Sequence, residues 1–211
     1  MIGVLGGTFD PIHFGHLRTA LDVLEGLGLD EVRFVPLKVA VHRDQPAAPG
    51  ELRLEMVRAA IAGQRGFAAD DRELRRDGPS YTLHTLESLR AEHGDRPLCL
   101  LLGGDAFRGF PTWHRPERIV GLAHLVIMQR PGAEVPRDPQ LRPLLDGRLT
   151  ADPARLRAAP AGSILFFPVT QLAISATDIR DRVARGLSPR YLMPDAVQEL
   201  VQREGLYADA R

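Results

Sequence analysis

The stretch GVLGGTFDPIHFGHLRTALDVL, residues 3 to 24, decides how this chain folds. A short apolar run ends in Gly6 and Gly7, His13 and His16 follow, and a helix-period pattern then takes over. Leu17, Ala20, Leu21, Leu24 and Leu27 recur at spacings of three and four, while Arg18, Asp22 and Glu25 fall on the opposite face. One face of this helix packs on a core and the other meets water. Apolar strand, glycine turn and amphipathic helix, in that order, open a βαβ unit.

The same alternation continues outward. MIGVLGG, DEVRFVPL, PLCLLLGG, AHLVIMQR and SILFFPV are short apolar runs, and HLRTALDVLEGLG, GELRLEMVRAAIAG and TLHTLESLRAEHG are helix-period segments between them. The strands are continuously apolar, as burial by helices on both sheet faces requires. The expectation is an α/β fold, a doubly wound parallel sheet with helices on both faces. Residues 131–162, rich in Pro, Ala and Arg, read as a partly helical excursion. Two short helices then close the chain, one starting at an N-cap Ser175 and one with Pro194 in its first turn. One domain over 1–211 is expected, with a small C-terminal helical segment over about 175–211.

Composition narrows the function classes. Lys plus Arg and Asp plus Glu both number 27, so the formal net charge is zero and no bulk field recruits nucleic acid or a lipid surface. Any polyanion must be held locally. Cys99 is the single cysteine and sits in an apolar run, which excludes an internal disulfide and reads as a buried thiol in a reducing compartment. No run approaches the roughly 18 apolar residues of a membrane span, and no secretory pattern opens the chain. A cytoplasmic protein is expected, without nucleic-acid or membrane partners. The sequence leaves homo-oligomerisation open.

The first turn carries chemistry. In a parallel sheet, ligands sit outside the carboxyl ends of the strands, where Gly6, Gly7, His13 and His16 fall. Glycines allow close backbone approach, and the N–H groups opening a helix favour phosphate. The spacing is neither G-x-G-x-x-G nor G-x-x-x-x-G-K-[ST], so neither the oxidoreductase fingerprint nor the P-loop applies. Standing alone, a histidine at a helix start reads as a cap or a surface group. Two of them, with His16 taken to open the helix, offer paired donors to a phosphate oxygen, and a positive charge when protonated. Asp10 with both histidines has residue types acceptable to a transition metal, but no cysteine or carboxylate cluster stands beside them.

GGTFDPIHFGH resembles the T/HxGH signature of the nucleotidylyltransferase superfamily, and ISATDIR resembles its second signature, (S/T)xxxxR. The resemblance implies a Rossmann-like sheet and ATP as substrate. Gly6, Gly7, Thr8, Phe9 and His16 would meet ATP, and Ser175, Thr177 and Arg180 would hold its β- and γ-phosphates. His13, His16 and Arg180 would be the catalytic groups. DGPSYTLHTL, LLGGDAFRGFPTWHRPERI, HLVIMQRPG and the ending LMPDAVQELVQREGLY narrow the resemblance to nicotinate-mononucleotide adenylyltransferases, over almost the whole chain.

That family joins ATP and nicotinate mononucleotide to give deamido-NAD and pyrophosphate. The resemblance assigns Gly103 and Asp105 to the nucleotide, Trp113 to stacking on a pyridine ring, Thr82 to the ring carboxylate, and Arg130 and His42 to the mononucleotide site. Mg²⁺ would be held mainly by ATP oxygens, with no protein metal site. Ala40 and Val41 stand where family members commonly have two prolines, and His84 stands where many have Asp. Pantetheine-phosphate adenylyltransferases share the two phosphate signatures but lack PSYT and TWHRPE. A non-catalytic nucleotide sensor on the same fold would tend to lose a histidine or Arg180, and this chain keeps all three.

Overall fold

In the computed structural model, residues 1–39, 45–136 and 138–208 are described. The chain opens with β1 (Ile2–Gly7), α1 (Phe14–Gly26), β2 (Glu31–Pro36), α2 (Gly50–Ile61), β3 (Phe67–Ala69) and α3 (Arg72–Arg75). It continues with α4 (Thr82–His93), β4 (Leu98–Gly103), α5 (Gly104–Arg108), a 3₁₀ turn (Phe110–Thr112), α6 (Pro116–Leu122) and β5 (His124–Gln129). The excursion holds α7 (Arg142–Leu145), β6 (Leu149–Thr150) and α8 (Arg155–Ala158); β7 (Ile164–Pro168), α9 (Ala176–Ala184) and α10 (Asp195–Arg203) complete the fold.

The seven strands form one sheet in the order β3-β2-β1-β4-β5-β7-β6, every pair parallel. Chain order reverses between β1 and β4. Their carboxyl ends therefore flank the crevice in which a doubly wound sheet takes its ligand.

Period two sorts the strand residues between two cores. In β4, Leu98, Leu100 and Leu102 face α4 and α6 together with Leu86, Leu89, Ile119 and Phe107. Cys99 and Leu101 face the other layer with Ala20, Val23 and Leu24 of α1, Val57 and Ile61 of α2, Ile179 of α9 and Val197 of α10. Cys99 is fully buried, and burial pushes its thiol up to about 12, which keeps it protonated and inert.

Three details differ from the sequence reading. β3, three residues long, and the two-residue β6 add edges to the sheet; neither is long enough to show a period. Pro194 occupies the N-cap of α10, one residue before the helix. Helix α1 opens at Phe14 with His13 as its N-cap, so His16 is the third helical residue.

One side chain fixes the loops that rise from β1 and β2. Arg53, on α2 and 1% exposed, donates Nη1–H to the Thr8 carbonyl at 2.8 Å, Nη2–H to Leu37 at 2.7 Å and Nε–H to Ala48 at 3.0 Å. Three carbonyls, that of Ala48 buried and those of Thr8 and Leu37 partly buried, depend on one guanidinium. Arg53→Met is expected to lower the unfolding free energy by about 3 kcal/mol, at roughly one for each stranded acceptor. Urea denaturation reads this directly, and a loss under about 1 kcal/mol would mean that the carbonyls find other donors.

Candidate active site

Local hydrogen bonding explains why histidines stand at the head of α1. The first N–H groups of a helix lack intrahelical partners. Gly15 N–H donates to His13 Nδ1 at 3.1 Å, and the His13 N–H donates back to His16 Nδ1 at 3.3 Å. The pair forms a reciprocal cap built from imidazoles. A Cβ at Gly15 would stand 3.0 Å from the His13 ring, so a larger residue there would push the capping imidazole by a few tenths of an ångström.

The cap sets the tautomer. Each Nδ1 is an acceptor, so each neutral ring carries its proton on Nε2. The rings stack with centroids 3.8 Å apart, and Phe9 supports His16 edge-on at 5.2 Å. Burial lowers the His13 pKa to about 4; burial, and then the charge of His13, lowers that of His16 to about 3. Near neutral pH these are neutral N–H donors. The positive charge that protonation would add is suppressed by loss of hydration.

A cavity of about 680 Å³ opens between the carboxyl ends of β1 and β4. Gly6, Gly7, Thr8 and His16 line it on the β1 side, and Gly103 and Asp105 on the β4 side. Thr82 and Trp113 close the end toward α4 and the 3₁₀ turn. Helix α4 has no side-chain cap, so the N–H groups of its first turn are presented beside Thr82. Trp113 packs on Phe110 at 5.3 Å and stays partly exposed. The Asp105 carboxylate pairs with Arg108.

The remaining residues singled out in the sequence lie elsewhere. Phe9 is 2% exposed, in the left-handed region at φ 49°, and its ring points into the core. Only its backbone is available to a ligand. Ser175 caps α9 by accepting from Asp178 N–H at 3.1 Å, and the Ile174 carbonyl would sit 3.4 Å from a Cβ at Gly15. The heads of α1 and α9 therefore adjoin. Arg180 donates Nη1–H to the Asp10 carbonyl at 2.8 Å and Nη2–H to Thr177 Oγ1 at 3.4 Å, joining residues 170 positions apart. Arg130 donates Nε–H to Gln171 Oε1 at 3.0 Å just beyond the end of β5 and, like Ser175, Thr177 and Arg180, is not among the residues lining this cavity. His42 lies outside the described residues.

Comparison with known proteins places this geometry. Residues 4–182 match the cytidylyltransferase-like family. The chain is 51% identical over 209 residues to a probable nicotinate-nucleotide adenylyltransferase of Methylococcus capsulatus, covering 99% of this chain and 100% of that one. It is 52% identical over 207 residues to a protein of the same name from Pseudomonas syringae pv. tomato, covering 98% and 93%. The chain belongs to the nicotinate-nucleotide adenylyltransferase family. A solved structure with the same fold is the Plasmodium falciparum nicotinic acid mononucleotide adenylyltransferase complexed with NaAD, at a TM-score of 0.69 and 17% identity over 98% of this chain and 97% of that one.

Membership of the adenylyltransferase family was legible in the sequence, but several cavity groups were not. Glu73, 7% exposed, lines the cavity and accepts from Thr85 Oγ1–H at 2.5 Å. Tyr81 stacks on His114 at 4.6 Å with His84 edge-on at 5.7 Å, and Tyr81 and His114 also line the cavity. Ser80 Oγ accepts from Lys38 N–H at 2.9 Å and Val39 N–H at 3.2 Å, which fastens the segment after β2 to the head of α4. PSYT hinted at this corner, but nothing in it signalled a buried carboxylate from α3.

The two histidines also predict an acid response. Their folded pKa values, about 4 and about 3, lie below the unfolded value of 6.5, so the unfolded chain binds more protons between those limits. Their stabilisation is complete above pH 6.5 and falls as pH drops toward 4. Between pH 6.5 and 5, above most carboxylate titration, the melting temperature is expected to fall in the parent and to fall less in His16→Asn. Equal slopes in a calorimetric pH series would remove His16 from this account.

Proposed function

We propose that the crevice between β1 and β4 joins the 5′-phosphate of nicotinate mononucleotide to the α-phosphorus of ATP. A phosphate oxygen attacks in line, the new P–O bond forms, and the bond to the β-phosphate breaks with its electron pair leaving on pyrophosphate. The products are deamido-NAD and pyrophosphate. The attacking phosphate is largely ionised near pH 7, so no general base is needed and catalysis is positioning with charge stabilisation. The observation that carries this reading is the capped pair His13 and His16: two fixed, neutral N–H donors beside the cavity, next to the head of α9.

In this reading His16, backed by His13, donates to the α-phosphate region. Gly6, Gly7 and the Thr8 and Phe9 backbone give the nucleotide close approach, and Gly103 and Asp105 face its ribose. Ser175, Thr177 and Arg180 hold the β- and γ-phosphates. Arg180 spends one donor on the Asp10 carbonyl and a longer one on Thr177 Oγ1, and its remaining guanidinium N–H groups serve the leaving pyrophosphate. At the other end, Trp113 stacks on the pyridine ring, and Thr82 with the uncapped head of α4 receives the ring carboxylate. A neutral ring amide would receive less from those N–H groups, which favours nicotinate over nicotinamide. Arg130, one of whose donors is spent on Gln171, stands at the rim of the mononucleotide site.

Mg²⁺ fits as a companion of ATP, neutralising its triphosphate charge. Among the described residues no three His, Cys, Asp or Glu side chains gather as a metal cage, so the ion would be held mainly by ligand oxygens. The Asp10 carboxylate turns away from the histidines, toward Ala47, Ala48 and Tyr207. No helix among the described residues is long and apolar enough to cross a membrane. We read the chain as one catalytic domain acting in the cytoplasm.

Pyrophosphate release from Mg·ATP is measured with nicotinate mononucleotide, nicotinamide mononucleotide and phosphopantetheine offered separately. Release with the nicotinate form, at least tenfold above the nicotinamide form, is expected. Release with phosphopantetheine alone would overturn the acceptor assignment. His16→Ala is expected to lower kcat by 10²-fold or more, as loss of one transition-state donor does, with a small change in KM for ATP. Unchanged turnover would remove His16 from the mechanism.

A further inference from the structure

Asp10 is the most heavily used buried carboxylate in the molecule's first loop, and no step of the reaction above touches it. It is 2% exposed. Its Oδ2 accepts from Ala47 N–H at 2.7 Å, and its Oδ1 accepts from Ala48 N–H at 3.2 Å and from the Tyr207 hydroxyl at 2.7 Å. Its backbone carbonyl accepts from Arg180 at 2.8 Å. Four separate segments thus meet on one residue: the histidine turn, the approach to α2, the second phosphate motif and the chain's closing turn.

Two of the residues that build this junction are strained. Phe9, immediately before Asp10, and Tyr207 both lie in the left-handed region, at φ 49° and 68°, where a bulky side chain is disfavoured. Each is held there by burial: Phe9 is 2% exposed and Tyr207 7%. Burial, and then the Asp10 charge, pushes the Tyr207 hydroxyl pKa far up, so it stays a donor. Such strain persists only where the surroundings over-determine it. For Phe9 those surroundings are the core packing, and for Tyr207 they include its hydrogen bond to Asp10.

We propose that Tyr207 is a positioning residue for adenylyl transfer: through Asp10 it fixes where Arg180 stands relative to His13 and His16. The inference rests on the reading of Arg180 given above. The hydroxyl orients the carboxylate, the carboxylate orients the peptide of residue 10, and that peptide's carbonyl holds the guanidinium. A shift of about 1 Å in such a group costs orders of magnitude in rate without a contact to substrate being lost.

The test is a cycle of Tyr207→Phe, Arg180→Ala and the double variant, assayed for kcat and for both KM values, with thermal melting alongside. Tyr207→Phe keeps the ring and its packing. It is expected to lower kcat about tenfold, change KM for nicotinate mononucleotide less than about twofold and leave the protein folded. In the Arg180→Ala background the same substitution should change kcat by less than about twofold, because the group it positions is gone. Full turnover in Tyr207→Phe, or the same tenfold loss in both backgrounds, overturns the proposal. A purely structural tyrosine would lower the melting temperature and give that second, additive result. Full turnover in Arg180→Ala would instead sink the site reading on which the proposal rests.

Discussion

Two backbone N–H groups at the head of α1 need acceptors, and this chain supplies them from imidazole nitrogens. That exchange, Gly15 to His13 and His13 back to His16, is the constraint on which the site depends. It makes the histidines part of the helix instead of ornaments on a loop, and it settles their chemistry. With Nδ1 committed to the backbone, Nε2 carries the proton. With burial suppressing protonation, each ring is a neutral donor of fixed direction. A Ser or Asp would cap the helix as well, but would not place an N–H donor over the crevice.

The sheet makes that cap useful. Because strand order reverses between β1 and β4, helices α1 and α4 pack on opposite faces and leave the carboxyl edge open between them. The cavity occupies that opening, with His16 and the β1 glycines at one end and an aromatic, hydroxyl-lined end at Trp113 and Thr82. His16 of α1 and the backbone of Gly6 and Gly7 are gathered at one end, in a chain whose formal net charge is zero.

Buried polar groups hold the histidine turn and α9 in register. Arg53 ties the loops after β1 and β2 together through three carbonyls, and Asp10 ties the histidine turn to Arg180 and Tyr207. Both are expensive groups to bury, and both are hydrogen-bonded on every side that the structure presents. They exchange solvation for a fixed loop geometry, which a site acting by positioning requires.

By itself, the sequence determined the parallel α/β architecture, the family, and the groups most open to local reading. Period, glycine turns and caps are properties of neighbouring residues: α1, α2, α4, five of the seven strands and the Ser175 cap could all be read from short windows. What only the tertiary structure decided were pairings between distant residues. The Asp10–Tyr207 and Asp10–Arg180 contacts join segments far apart in the chain, and no local window contains both partners. Arg53 lies on the buried face of α2 among Leu54, Val57 and Ile61, where composition alone predicts a solvated charge. Arg130 stood in a matching string, and its partner, Gln171, lies 41 positions further on. Even the charge state of the histidines was a tertiary outcome, because desolvation is set by everything packed around a ring and not by the residues beside it.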